Sequence, residues 1–138
     1  MIKKHLINIC MAIALLCGFN SCEDDPYYED DYYDPYEEIS YNLCYNIWVD
    51  VFDTPDSECE QQLSFHPDGR GMDTRRYFYP NGLFDEDRLP FYWELDAHYP
   101  DIVYMNYKDR TTVLEHVRIT PRTLNCLYDG ERVEFIAK

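Results

Sequence analysis

Basic residues are scarce in this chain, and their scarcity excludes a class of partner. The 138 residues include 12 Lys and Arg against 27 Asp and Glu, for a formal net charge of −15. Affinity for phosphates comes mainly from Lys and Arg, and no basic stripe interrupts the acidic composition. The five glycines form neither a P-loop nor a dinucleotide-binding pattern. We therefore expect no nucleic-acid partner and no cofactor.

Metal-binding cysteine patterns and long apolar runs are also missing. No Cys-x-x-Cys occurs, and His66, His98 and His116 are scattered along the chain, which argues against structural zinc. The main apolar stretch, about residues 6–19, falls short of the ~20 residues needed to cross a bilayer. Acidic residues follow it closely, where a membrane-spanning helix would have a basic flank. The stretch is therefore not predicted to span a membrane.

The N-terminal residues have the pattern of an export signal. Two lysines near the start precede the apolar stretch, and the small residue Ser21 comes directly before Cys22. Residues 19–22 read Phe-Asn-Ser-Cys, which resembles the lipobox of bacterial lipoproteins. The resemblance implies that residues 1–21 are a signal peptide cut before Cys22, and that Cys22 carries a diacylglycerol and palmitate anchor.

The residues after Cys22 indicate a destination. Glu23, Asp24 and Asp25 follow the cysteine directly. This arrangement resembles the signal that sends some gram-negative lipoproteins to the outer leaflet of the outer membrane. We therefore expect the protein to be held by its acyl anchor to the lipid bilayer of a gram-negative outer membrane, with its domain exposed at the cell surface.

An acidic segment separates the anchor from the rest of the chain. Between Glu23 and Glu38 there are nine acids and no Lys or Arg, and the apolar content is mostly tyrosine. Like charges repel, and so little apolar surface cannot offset the entropy lost on folding. The composition predicts a flexible tether over residues 22–40 and one folded domain over residues 41–138.

The domain alternates between short strand patterns and turn signals. Turn residues recur about every 8–15 positions, and no helical periodicity lies between them. Closing such a meander into a barrel removes exposed sheet edges. We predict an all-β fold, a single antiparallel up-and-down meander of about eight strands closed into a small barrel, with a sandwich as the alternative. The predicted strands are 43–52, 59–66, 72–79, 91–95, 102–107, 111–119, 123–128 and 132–137, with a loop at 83–89.

The first predicted strand has two possible faces. Alternation favours an inner face that consists of Leu43, Tyr45, Ile47, Val49 and Val51. That phase places Trp48 outside, unless a bulge reverses it.

Three cysteines remain in the domain, at Cys44, Cys59 and Cys126. Three thiols allow one disulfide and one leftover thiol, in three possible pairings. Export permits a bridge, and the pairing stays open because it depends on which Cα atoms lie within about 7 Å of each other.

The order of several short motifs resembles a known family. The motifs are Ile47-Trp48-Val49, Leu63–Gly71, Phe91–Leu95, Ile119–Leu124 and Asp129–Phe135. Their succession looks like that of the small lipocalin-like domains of bacterial lipoproteins, over nearly all of residues 43–137. The resemblance implies a barrel that can enclose a ligand cavity, and it carries over no catalytic residues.

Four residues are candidates for ligand binding. Glu115 shares a predicted strand face with Val117, so its carboxylate could line a cavity; the alternative places it at a rim or beside a bulge. Arg75, near Tyr77, could clamp an anion or cover aromatic surface. Trp93 lies on the predicted inner face of strand 91–95 and combines apolar area with a polar N–H.

These features favour a non-enzymatic surface lipoprotein whose barrel binds a small apolar or amphipathic molecule. The alternative is an interaction module with a filled barrel, which binds glycan or protein through surface aromatics and loops and could inhibit an enzyme. An enzyme would require residues such as Glu115 and His116 to converge in one cleft, and the spacing does not predict that.

Overall fold

The computed structural model describes residues 32–138, and the compact unit within them is Asp34–Lys138. The predicted signal peptide 1–21, the lipidation site Cys22 and the first part of the predicted tether lie outside the described residues. Within residues 32–138, no helix combines the length and hydropathy needed to cross a lipid bilayer.

The described residues form an all-β fold, a closed antiparallel barrel of eight strands in up-and-down order. This confirms the predicted fold class. Each strand pairs with the next along the chain, and β1 closes the barrel by pairing with β8 at Trp48↔Ala137 and Val49↔Ile136. The strands are β1 (Ile47–Asp53), β2 (Glu58–Phe65), β3 (Arg70–Phe78), β4 (Phe84–Leu95), β5 (Val103–Asn106), β6 (Thr111–Ile119), β7 (Thr123–Tyr128) and β8 (Glu131–Ala137).

A helix, α1 (Pro35–Tyr45), precedes the barrel. The Asp34 side chain caps it by accepting a hydrogen bond from the Tyr36 N–H at 2.9 Å, and proline at the first helical position needs no N–H partner. The structure therefore differs from the predicted tether over residues 35–40, which belong to α1. The same helix takes residues 43–45 out of the predicted first strand.

The helix covers one end of the barrel, hereafter the helix end. Leu43 is fully buried, and its carbonyl accepts a hydrogen bond from the Trp48 indole N–H at 3.0 Å. Tyr36 and Asn46 donate to the carbonyls of Ala97 and Pro121, in the connections that follow β4 and β6. The turns that follow β1, β3, β5 and β7 lie at the opposite end, hereafter the open end.

The inner face of β1 is the reverse of the predicted one. Trp48 is fully buried, whereas Ile47 and Val51 are exposed. The predicted phase relied on Leu43 and Tyr45, but these residues are helical. Once they are removed, burial of the large indole ring outweighs burial of the smaller alternating side chains.

The β3–β4 hairpin is longer than predicted, because residues 84–89 are strand rather than loop. The ladder runs from Arg70↔Tyr92 to Phe78↔Phe84. On its other side β4 pairs with β5 only from Tyr92↔Asn106 to Leu95↔Val103. Residues 84–91 of β4 therefore project beyond the end of β5, and we call residues 70–91 the projecting hairpin.

Candidate functional site

A buried polar network lies inside the barrel around Asp73, which is fully buried on β3. Its Oδ2 accepts from the Tyr107 hydroxyl at 2.8 Å and from Arg75 Nη2 at 3.0 Å. Gln61 Nε2 lies 3.2 Å from both carboxylate oxygens and 3.3 Å from the Tyr128 hydroxyl. The charge of Asp73 is thus compensated within the domain, so the network holds β2, β3 and the β5–β6 and β7–β8 regions together.

The network fixes the protonation of two partners. Burial alone would lower the pKa of Arg75, but the hydrogen bond and charge of Asp73 outweigh it and the pKa is raised. Burial, together with the negative charge of Asp73, raises the pKa of Tyr107 well above its ordinary value. Arg75 therefore stays cationic and Tyr107 stays a neutral donor.

The structure brings two of the four candidate residues together. Arg75 and Tyr77 lie two positions apart on the inward face of β3 toward the open end, and the Tyr77 hydroxyl adds to the raised pKa of Arg75. Trp93 lies toward the helix end. Its indole N–H donates to the His66 carbonyl at 2.9 Å, and its ring meets Phe65 edge-on with centroids 5.7 Å apart.

Glu115 lies apart from the other candidates, and its predicted face is wrong. Leu114 is buried, so the side chains of Val113 and Glu115 point outward. The β6–β7 register shifts between Glu115 and Arg118, and the backbone at His116 has a φ of 51°. Because of this bulge, the side chain of Val117 points inward whereas that of Glu115 does not. Glu115 therefore occupies the alternative predicted position, beside a bulge.

Large side chains occupy the barrel interior. The Phe91 ring contacts those of Phe65 and Tyr107, each with centroids 5.4 Å apart, and Tyr128 contacts Phe135 at 6.2 Å. The buried apolar set is Leu43, Trp48, Leu63, Phe65, Phe91, Val103, Met105, Tyr107, Leu114, Val117, Leu124, Cys126 and Phe135. These side chains occupy much of the space that a ligand inside an eight-stranded barrel would need.

A cleft of about 790 Å³, hereafter the lateral cleft, opens on the barrel wall where β4 passes the end of β5. That volume is typical of small-molecule sites. Its lining residues are His66, Arg70, Gly71, Met72, Pro90, Phe91, Tyr92, Asn106, Tyr107 and Lys108. Arg70 and Lys108 bring positive charge and no acid contributes to the lining, although the chain as a whole is acidic.

The end of the projecting hairpin exposes three large apolar side chains, which we call the hairpin tip. Phe78, Leu83 and Phe84 are 43%, 66% and 62% exposed, and the two phenylalanine rings are 6.2 Å apart. Sequence reasoning missed this surface because it assigned residues 83–89 to a loop. Pro80, Asn81 and Gly82 form a turn signal in the sequence, and pairing the residues on both sides of it would have extended the hairpin.

All three cysteines of the described residues are free thiols. Burial, with a smaller effect from the charge of Asp50, raises the pKa of Cys126 to about 12. Burial also raises the pKa values of Cys44 and Cys59. Since the thiolate is the reactive form, this environment disfavours a nucleophilic role.

Comparisons of the chain with protein-family models, curated proteins and solved structures found no significant match.

Proposed function

We propose that this chain is a non-enzymatic, lipid-anchored surface protein whose lipocalin-like barrel is an interaction module that binds a protein or glycan partner through the hairpin tip. The supporting observation is the exposure of Phe78, Leu83 and Phe84 on one projecting hairpin. Grouped apolar side chains on a soluble surface are typical of partner binding. The large side chains buried inside the barrel favour this function over a ligand held there.

The anchor and the address rest on the sequence. The lipobox-like residues 19–22 and the acids after Cys22 favour lipidation at Cys22 and the outer membrane of a gram-negative bacterium. Mass spectrometry of the N-terminal peptide of the native protein tests this directly. A diacylated and palmitoylated Cys22 supports it, and a product that retains residues 1–21 contradicts it.

A photo-crosslinker tests the interaction surface. Benzoylphenylalanine replaces Phe84 at the hairpin tip, and in a matched control it replaces Ile136, an exposed apolar residue on β8. Irradiation of cells that carry the native, anchored protein should give a discrete adduct from position 84 and none from position 136. Absence of an adduct at position 84, or equal labelling of the same species from both positions, contradicts the proposal.

A second candidate function is binding of a small amphipathic molecule in the lateral cleft. It is favoured by the cleft volume of about 790 Å³ and by Tyr92, which places an exposed ring beside Arg70 and Lys108. Native mass spectrometry of protein purified from its own membrane should then show a retained small molecule. That molecule should be lost in Tyr92→Ala and kept in the control Tyr99→Ala, since Tyr99 is exposed away from the cleft. Equal retention in both variants rules out the cleft.

A further inference from the structure

One edge of the projecting hairpin lacks a neighbouring strand, and hydrogen bonds fix which backbone groups it presents. In an antiparallel ladder, successive residues direct their N–H and C=O groups alternately to one side and the other. The Tyr79 N–H donates to the Leu83 carbonyl at 2.9 Å, and the Trp93 N–H donates to the Gly69 carbonyl at 2.8 Å. The backbone N–H and C=O groups of the odd-numbered residues of β4 therefore point toward β3.

The backbone N–H and C=O groups of the even-numbered residues point away from β3. The backbone groups of Tyr92 and Glu94 bond to β5 on that side, whereas those of Phe84, Glu86 and Arg88, which lie opposite β3 residues, have no strand on that side among residues 32–138. Pro90 has no N–H and ends the run toward β5. We call residues 84–89 the free edge. Their six residues span about 20 Å, which is the length of an ordinary strand.

An open edge of this length is a template for another strand, as in peptide recognition by strand addition. Charge restricts the occupant. Asp85 and Asp87 point to the inward face, and Glu86 is paired with Arg76 and Arg88 on the outward face. The Tyr79 hydroxyl donates to Asp85 at 3.0 Å. The free edge thus carries a net negative charge.

Two occupants are disfavoured by that charge. A second copy that paired edge to edge would bring Asp85, Glu86 and Asp87 against their counterparts, at a cost in like-charge repulsion. The chain's own segment between Glu23 and Asp34 has seven acids and no Lys or Arg, so it would meet the same repulsion. The same acidic side chains that repel a second copy and the chain's own acidic segment would attract a basic strand.

We propose that the free edge of β4 binds an extended basic peptide segment of a partner by strand addition, with its cationic side chains facing Asp85 and Asp87. This assignment names the partner class of the proposed interaction module and rests on that function. The amides and carbonyls of Phe84, Glu86 and Arg88 hold the added backbone. The apolar hairpin tip contacts the end of the added strand.

The test uses a heptapeptide of alternating lysine and valine as the probe, with an alternating glutamate and valine heptapeptide as its control. Titration of the isotope-labelled full chain, followed by amide NMR, should slow hydrogen exchange at Glu86 and Arg88 by about tenfold or more while Asp85 and Asp87 change little. The acidic peptide should leave all four amides unchanged. Equal effects from both peptides, or shifts without the alternating pattern, overturn the proposal. A concentration-dependent dimer that shows the same pattern without peptide also overturns it, in favour of a second copy.

A pair of variants separates backbone docking from charge attraction. Arg88→Pro removes an edge N–H without breaking a bond to β3, and it should weaken binding about tenfold or more. Arg88→Ala removes the same side chain but keeps the N–H, and it should bind the basic peptide at least as well as the unaltered chain. Equal binding by the two variants overturns strand addition. If Arg88→Pro does not fold, the amide pattern of the unaltered chain decides alone.

The two proposals fail separately. An adduct at position 84 in cells, without the alternating amide pattern, overturns the edge assignment and supports the interaction module. The amide pattern without an adduct supports the edge assignment and contradicts the module as placed at the hairpin tip.

Discussion

Asp73 and Arg75 lie two positions apart on β3 and form an ion pair inside the barrel, with Arg75 Nη2 3.0 Å from Asp73 Oδ2. The Asp73 side chain is completely inaccessible to solvent, whereas that of Arg75 is 22% exposed. The barrel therefore encloses a carboxylate whose cationic partner, Arg75, lies between it and the open end. Because the net stability of a folded domain is only about 5–15 kcal/mol, removal of that partner should lower the free energy of unfolding by a measurable fraction.

Replacement of Arg75 by methionine should lower the free energy of unfolding by about 3–5 kcal/mol, because Asp73 is left buried and uncompensated. The double variant Arg75→Met with Asp73→Asn should recover part of that loss. Arg76→Met is the matched control: Arg76 pairs with Glu86 at the surface, and its loss should cost about 0–1 kcal/mol. Urea denaturation measures all three. Equal stabilities of Arg75→Met and Arg76→Met would contradict the role given to the buried pair.

Tyr107→Phe should destabilise the protein by about 1–2 kcal/mol at neutral pH, because Asp73 loses a hydrogen bond of 2.8 Å. The difference should shrink as the pH rises above ~10, the ordinary pKa of tyrosine. Because the pKa of Tyr107 is raised in the folded state, its hydroxyl ionises in this pH range only in the unfolded state. Alkali therefore destabilises the unaltered protein through this hydroxyl, and it has no such effect on the phenylalanine variant. Denaturation series at several pH values check this, and a constant difference would argue against it.

Gly71→Ala should cost about 1–3 kcal/mol through overpacking. A Cβ at this position would collide with the Phe91 ring and lie 2.8 Å from the Ser64 carbonyl oxygen. Phe91→Leu would relieve the first collision, so the double variant should be more stable than the sum of the single changes predicts. Thermal or urea unfolding of the three variants gives the coupling, and strict additivity would show that the ring yields without cost.

Much of the barrel could be predicted from the sequence because turn signals bound its strands closely. The predicted strands 111–119 and 123–128 coincide with β6 and β7. In β8, two-residue alternation places Val133 and Phe135 on one face, and Phe135 is fully buried. Turn residues act locally, so their effect can be predicted without knowing the tertiary structure.

The errors arose where two signals competed. The acids of residues 34–38 indicated a solvated tether, although Asp34 followed by Pro35, Glu37 and Glu38 is also a helix-start pattern. The acids of residues 85–87 indicated a loop, yet cross-strand pairing with β3 holds them in β4. Two-residue periodicity could not predict the bulge at His116, which separates Glu115 from the apolar face.

The three free thiols should differ in reactivity by their burial. Cys126 is buried and its pKa is raised to about 12, so little of its thiol is ionised at pH 8. Cys44 is partly exposed. Iodoacetamide at pH 8, followed by peptide mapping, should therefore label Cys44 before Cys126, and Cys126 should react rapidly only in denaturant. Rapid labelling of Cys126 in the folded protein would contradict its burial.

Residue-resolved amide hydrogen exchange along β4 tests most directly the claim that a projecting hairpin presents a free backbone edge beside a filled barrel. The amides of Asp85, Asp87 and Leu89 face β3 and should exchange slowly. Those of Glu86 and Arg88 face outward and should exchange about tenfold faster or more. Uniform protection across residues 85–89 would mean that the edge is already covered, and would contradict the account.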